Sequence, residues 1–109
     1  MLYAIGEEME RCKVLSQGGP HIYLKGGHHP IFPGRDLLWR GGEVRVLEGD
    51  GGAVYPKHGS GCVLASSLTA NLALGYSLDE AAVRAKHYTA RFLASNKTLL
   101  GWHSTDYIL

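Results

Sequence analysis

The chain has 109 residues, the size of one small domain, so its length excludes a multidomain organisation. Hydrophobic residues make up 45% and charged residues 19%, which excludes a disordered chain, and the net charge of +1 gives no indication of a nucleic-acid or anionic-membrane partner. Glycine is abundant: 15 of 109 residues is about twice the usual share of roughly 7%. This excess predicts tight turns or close approaches of the backbone to a ligand.

Cysteine content and export signals bear on the location of the protein. Cys12 and Cys62 are too few for a disulfide framework, which predicts a reducing, cytoplasmic setting, although a single bridge is left open. The most apolar stretch, Cys62–Leu74, is interrupted by polar residues and is too short for a membrane span. Acidic residues near the N-terminus rule out a basic and then apolar export signal. We expect neither membrane nor nucleic-acid partners.

The first half of the chain predicts one helix and several strands. Apolar residues at helical spacing predict an amphipathic helix over residues 2–15, with Cys12 on its apolar stripe. The helix begins almost at Met1 without a capping residue, so we expect the chain to be cut within a longer protein. A strand follows at His21–Lys25, and a proline-containing loop runs to about Gly34. The remaining strands are Asp36–Trp39 and Glu43–Leu47, joined as a hairpin through Arg40-Gly41-Gly42, and a short one at Ala53–Tyr55.

Two helices complete the chain. The segment Gly61–Leu74, closed by Gly75 as a C-cap, is apolar nearly all round and is expected to be buried on most sides. The second helix opens with a capping box in which Ser77 and Glu80 satisfy opposite backbone amides. Its inner face is predicted to consist of Ala81, Ala85, Tyr88 and Phe92.

The order of these elements indicates an α/β fold. Only one of the strands is expected to be parallel to others, whereas a parallel sheet needs several strands covered on both faces. The sequence therefore predicts that residues 1–109 form a single partial domain, the second half of a larger sheet.

The sharpest candidate site is Lys57-His58-Gly59-Ser60-Gly61-Cys62. Glycines leave backbone amides unshielded, and these amides lie at the positive end of the helix that follows, which favours an anion. Ser60 adds a hydroxyl donor, and Cys62 sits where the helix dipole favours a thiolate. Two alternatives remain: a glycine-rich turn with a buried, inert cysteine, and a thiol enzyme with Cys62 as nucleophile and His58 as its base.

A second candidate is Lys25-Gly26-Gly27-His28 at the end of a predicted strand. Ligands gather at the carboxyl ends of strands in open α/β sheets, so Lys25 is well placed to neutralise a phosphate; a solvated lysine beside a turn is the alternative. The Walker and dinucleotide glycine patterns are absent. Six histidines lack metal-ligand spacing, so no metal ligated by this chain is expected.

Together these segments resemble a known family. The motifs, taken in chain order, are Lys25-Gly26-Gly27-His28, Asp36-Leu37-Leu38-Trp39, His58-Gly59-Ser60-Gly61-Cys62, Leu72-Ala73-Leu74-Gly75, and Leu78-Asp79-Glu80-Ala81 with Ala85-Lys86. Over residues 2–103 they look like the C-terminal half of hydroxymethylpyrimidine/phosphomethylpyrimidine kinases, thiamine-pathway members of the ribokinase-like superfamily. The resemblance implies the C-terminal, nucleotide-side part of a three-layer α/β/α fold.

The same resemblance implies phosphoryl transfer from ATP, with Mg²⁺, to hydroxymethylpyrimidine or its monophosphate. The amides of Gly59, Ser60, Gly61 and Cys62 would form an anion hole, Lys25 would contact the ATP phosphates, and Cys62 would take the position of a general-base aspartate. It also suggests a homodimer of the full-length protein. The alternatives are a pyridoxine or pyridoxal kinase of the same fold and a noncatalytic nucleotide-binding fragment.

The chain departs from the family pattern in two respects. Lys57 and Ser60 stand where threonines are common in relatives. The family's N-terminal half, with its substrate-binding residues and its magnesium-associated Asn-x-x-Glu motif, has no counterpart here. We therefore expect the chain alone not to turn over substrate.

Overall fold

The chain divides into two compact units, residues 1–51 and residues 52–109. The computed structural model describes residues 10–15, 17, 19–26, 34–49, 55 and 57–103, and predictions that fall on other residues lie outside these ranges. Within the described part, no helix is both long enough and apolar enough to cross a membrane.

The first unit contains a short helix and a three-stranded sheet. Helix α1 is described over residues 10–15, and the strands are β1 (Ile22–Leu24), β2 (Asp36–Arg40) and β3 (Glu43–Leu47). The sheet order is β1-β2-β3 with both pairings antiparallel. Because β2 is the central strand, its apolar residues Leu37, Leu38 and Trp39 are buried, and Cys12 of α1 and Leu47 of β3 complete the core among the described residues of this unit.

The hairpin prediction is confirmed, with Gly41 and Gly42 as a two-residue turn of positive φ. Among the described residues, β1 runs antiparallel to β2, and the expectation that one strand has parallel partners elsewhere in a larger sheet stays a prediction. Only residues 25–35 connect the two strands, fewer than the dozen or more that a parallel crossover needs. The predicted strand Ala53–Tyr55 lies mostly outside the described residues, and Tyr55 itself is not in a strand.

The second unit is built on two packed helices, α2 (Ser60–Ala73) and α3 (Leu78–Leu93). The cap of α3 is the predicted one, since the Ser77 hydroxyl accepts a hydrogen bond from the Glu80 amide at 3.3 Å. At the end of α2 the C-cap is Leu74, and Gly75 follows with a φ of +96°. This glycine conformation ends the helix close to the predicted residue.

The prediction that α2 is buried on most sides is wrong. Its buried residues are Leu64, Ser67 and Asn71, which share one face, while Cys62 and Leu72 are exposed. The spacing of the buried residues shows that a single face of α2 is covered within this unit, where it packs on α3.

The inner face of α3 is largely the predicted one. Ala81, Ala85 and Phe92 are buried, and so is Thr89. Tyr88 is only half-buried, and its hydroxyl lies 2.6 Å from Nδ1 of His103. The polar end of the tyrosine ring reaches an exposed partner, so this side chain stays at the rim of the core.

A buried polar network joins the two helices. Asn71 is 0% exposed, its Nδ2 donates to the Ser67 carbonyl at 2.8 Å, and its Oδ1 accepts from Nε of Arg84 at 2.7 Å. The Arg84 guanidinium also lies over the ring of Tyr76, 4.3 Å from the centroid. The network favours one orientation of α2 against α3, because a shift of either helix would separate the buried Asn71 amide from the partly buried Arg84 guanidinium.

Asn71→Ala tests the weight of this network. We expect it to lower the free energy of unfolding by about 1–3 kcal/mol, since Arg84 loses the hydrogen bond from its Nε to Asn71 in a partly buried setting. The matched control is Thr69→Ala in the same helix, where the exposed hydroxyl bonds only to its own helix at Ala65; its cost should stay within about 0.5 kcal/mol. Urea unfolding of the two variants measures the difference, and equal losses would contradict a role for the network.

Candidate functional site

The beginning of α2 presents backbone amides to the surface. The helix starts at Ser60, one residue earlier than expected, and its first internal bond runs from the Val63 amide to the Gly59 carbonyl at 2.9 Å. No side chain caps this end, and its first turn contains no acidic residue. Gly61 and Cys62 are exposed and Ser60 is half-buried, so an anion can reach this turn from solvent.

Gly59 gives the loop its shape. It is the N-cap residue and has a φ of +79°, in the left-handed region that a side chain disfavours. A Cβ at this position would meet no atom within 4 Å, so the requirement for glycine is conformational and not a matter of space.

The loop that leads into α2 is anchored to the segment that follows α3. The His58 amide donates to the Leu99 carbonyl at 2.8 Å, and the Lys57 ammonium donates to the Asn96 carbonyl. The same ammonium lies 5.5 Å from the centroid of the Tyr55 ring. Lys57 is therefore engaged in holding the loop.

A half-open cleft of about 210 Å³ adjoins this anchoring segment. Gly101 packs so closely against the Phe92 ring that a Cβ there would collide with it. The Trp102 amide donates to the Ser95 hydroxyl at 2.9 Å and so orders the same stretch. The cleft, which sequence reasoning did not find, is lined by Tyr88, Arg91, Phe92, Ser95, Trp102 and His103.

In the first unit, Lys25 is exposed and follows β1 directly. The next amide, that of Gly26, donates to Oδ1 of Asp36 at 3.0 Å. A Cβ on Gly26 would collide with the Arg35 carbonyl oxygen, so two backbone segments approach closely here and glycine is required. The Lys25–Gly26 segment is thus fixed to the start of β2.

Asp36 is the residue of this region that sequence reasoning missed. It is only 7% exposed, and its Oδ2 accepts a hydrogen bond from the Tyr23 hydroxyl at 2.5 Å. Burial raises the pKa of Tyr23 well above its ordinary value, and the hydrogen bond to Asp36 and its negative charge raise it further. In the sequence, Asp36 is an acidic residue that opens an apolar strand and belongs to the Asp36–Trp39 motif of the resemblance. Neither signal distinguishes this buried role from an exposed one.

The structure groups some of the predicted site residues. Gly59, Ser60, Gly61 and Cys62 lie together at the start of α2, whereas Lys25 belongs to the first unit. Exposure of Cys62 is inconsistent with the alternative of a buried, inert cysteine, and neither cysteine is in a disulfide. In the part of the chain that the structure describes, no group of three or more His, Cys, Asp or Glu residues could hold a metal ion.

Comparison with known proteins gives consistent results. The model of the phosphomethylpyrimidine kinase family matches residues 6–105. A hydroxymethylpyrimidine/phosphomethylpyrimidine kinase of Synechococcus elongatus is 36% identical over 75% of this chain and 32% of its own length. A putative pyridoxine kinase of Staphylococcus epidermidis is 30% identical over 94% of this chain and 36% of its own length. The chain therefore spans well under half the length of these relatives.

A solved structure shows the fold. The chain matches an ADP complex of Bacillus subtilis pyridoxal kinase with a TM-score of 0.75 and 24% sequence identity. The match covers 93% of this chain and 40% of that protein. The fold is therefore α/β and ribokinase-like, as predicted.

The two cysteines should differ in reactivity. Cys62 is exposed at a helix N-terminus, and Cys12 is 0% exposed, so iodoacetamide should modify Cys62 in the native chain about tenfold faster or more. Peptide mapping by mass spectrometry measures both rates, and labelling in urea, where both thiols are accessible, is the control. Equal native rates would contradict the burial of Cys12.

Proposed function

The chain belongs to the phosphomethylpyrimidine kinase family, and we propose that it forms the nucleotide-side part of a kinase that phosphorylates hydroxymethylpyrimidine and its monophosphate. The observation that carries this proposal is the uncapped, exposed start of α2 at Gly59–Cys62. Phosphoryl transfer depends mainly on positioning and on the stabilisation of negative charge, which preorganised amides supply without reorganising.

Each proposed site residue has a defined part in the reaction. An oxygen of the substrate, the hydroxyl of hydroxymethylpyrimidine or a phosphate oxygen of its monophosphate, attacks the γ-phosphorus of ATP. The bond from that phosphorus to the β-phosphate oxygen breaks, and ADP leaves. The amides of Gly59, Ser60, Gly61 and Cys62 bind oxygens of the migrating phosphoryl group, and Lys25 neutralises charge on the ATP phosphates. Cys62, which is exposed at the start of α2, is the proposed acceptor of the proton from the substrate hydroxyl.

Magnesium commonly accompanies ATP in phosphoryl transfer. The described residues offer no cluster of ligands for it, and the buried Asp36 is engaged with Tyr23 and Gly26. These residues do not fit a magnesium ion held by this chain. On this proposal, the ion would arrive with the phosphates of ATP.

A pyridoxine or pyridoxal kinase is the second candidate. It is favoured by the Staphylococcus epidermidis relative, whose similarity extends over 94% of the chain, compared with 75% for the Synechococcus elongatus relative. A noncatalytic nucleotide-binding fragment is the candidate from another class. A reducing cytoplasmic setting and a homodimer of the full-length protein are further parts of the proposal.

ADP release measures the proposed activity. The purified chain should release no ADP from magnesium ATP with either hydroxymethylpyrimidine or pyridoxal, because it spans only 32% and 36% of the length of the two relatives and transfer needs acceptor and donor held in line. Two chimeras, each adding the N-terminal part of one relative, should restore release, with more activity when that part comes from the hydroxymethylpyrimidine kinase. Greater activity of the pyridoxine-kinase chimera would favour the second candidate. ATP binding without transfer in both chimeras would favour a noncatalytic fragment.

Gly75, which follows the C-terminus of α2, is a matched control for Gly59 at the N-terminus of the same helix. Gly59 and Gly75 both have positive φ and open space around a would-be Cβ, so Gly59→Ala and Gly75→Ala should each cost about 1 kcal/mol of stability. Only Gly59→Ala should also weaken ATP binding, by about tenfold, because it distorts the amides that face the phosphate. Calorimetric titration with magnesium ATP measures this. Equal affinities of the two variants would contradict the anion-hole assignment.

A further inference from the structure

The buried carboxylate of Asp36 is hydrogen-bonded to residues on both sides of Lys25 in the chain. Asp36 is 7% exposed, and each of its carboxylate oxygens accepts a hydrogen bond. The donors are the Tyr23 hydroxyl and the Gly26 amide, so they come from either side of Lys25 in the chain. A single side chain of β2 thus holds the residues that flank the proposed phosphate lysine.

The register of β1 on β2 also constrains the backbone position of the Lys25–Gly26 segment. Tyr23 pairs with Leu38, and Leu24 pairs with Leu37. Continuing this antiparallel register by one residue sets Lys25 opposite Asp36. The required glycine at position 26 brings the two backbones together at this point, because any Cβ would collide with the Arg35 carbonyl oxygen.

Stability of the sheet alone does not require a carboxylate at this position. Burying a carboxylate costs free energy that its hydrogen bonds must offset, whereas an apolar residue would suit the core of β2 without that cost. What the carboxylate adds is a directed bond to the Gly26 amide, which an apolar side chain cannot make. The Lys25 side chain remains exposed while its backbone is fixed.

We propose that Asp36 is a positioning residue that holds the Lys25–Gly26 segment, so that the Lys25 ammonium is presented to the phosphates of ATP. This inference rests on the proposed function, in which Lys25 contacts those phosphates. Asp36 does not touch the nucleotide itself and acts through Lys25. Its loss therefore costs affinity only while the lysine is present.

A double-mutant cycle tests the coupling, with calorimetric titration of the purified chain by magnesium ATP. Lys25→Ala should weaken binding by about tenfold to a hundredfold, and Asp36→Ala by about tenfold. In the double variant, the second substitution should add less than about twofold to the loss. Lys13→Ala, at an exposed lysine of the same unit, should bind ATP like the wild-type chain.

Two further variants separate positioning from stability. Asp36→Asn retains an oxygen acceptor for the Gly26 amide and should restore affinity to within about threefold of wild type. Tyr23→Phe removes the other hydrogen bond to Asp36 and should lower stability without a comparable loss of affinity. If Asp36→Ala does not fold, Asp36→Glu takes its place in the cycle, since it keeps the charge but displaces the carboxylate.

The outcomes distinguish a failure of the proposed role of Lys25 from a failure of the proposed role of Asp36. If Lys25→Ala binds ATP normally, the proposed role of Lys25 fails and Asp36 has nothing to position. If Lys25→Ala weakens binding while the Asp36 variant does not, or if their losses simply add, positioning by Asp36 is overturned and the role of Lys25 stands. Affinity losses in Tyr23→Phe that match those of Asp36→Ala would also overturn it, because they would follow stability alone.

Discussion

The buried carboxylate of Asp36 is the constraint around which the first unit is arranged. A carboxylate with 7% exposure needs hydrogen-bond donors. Here the Tyr23 hydroxyl, before Lys25 in the chain, and the Gly26 amide, after it, are such donors. Satisfying the carboxylate therefore fixes the end of β1 against the start of β2. Because Lys25 lies between the two donors in the chain, the hydrogen bonds that satisfy the carboxylate also fix the backbone from which the Lys25 side chain extends.

In the second unit, buried polar side chains are hydrogen-bonded to one another, whereas the amides at the start of α2 have no side-chain cap among the described residues. Inside the helix pair, Asn71 is fully buried and bonded to Ser67 and Arg84, which sets the packing of α2 on α3. At the start of α2, by contrast, no side-chain hydrogen bond from the described residues caps the helix. A rigid helix pair with an uncapped end supports an anion site, because the donors are held in place before any ligand arrives.

Local chemistry made much of this structure predictable, and long-range contacts account for what was missed. The hairpin through Gly41-Gly42 and the Ser77 cap follow from rules that act over a few residues, and both are confirmed. The antiparallel pairing of β1 and the exposed side of α2 depend on which elements pack together, which periodicity does not contain. Tyr88 illustrates the same limit, since its half-buried position depends on His103, fifteen residues away.

The candidate site divides along the same line. Gly59–Cys62 could be recognised from sequence because the signal lies within one turn, with glycines beside a helix start. Asp36 could not, because its importance arises from a contact with Gly26 across the sheet, ten residues away in the chain. Where a reaction depends on positioning more than on covalent chemistry, residues such as Asp36, which hold the backbone of a ligand-binding segment, matter to the rate as much as the motif that contacts the ligand. A short motif therefore identifies the groups that meet the ligand, and the hydrogen-bonded frame behind it determines whether they meet it in the required geometry.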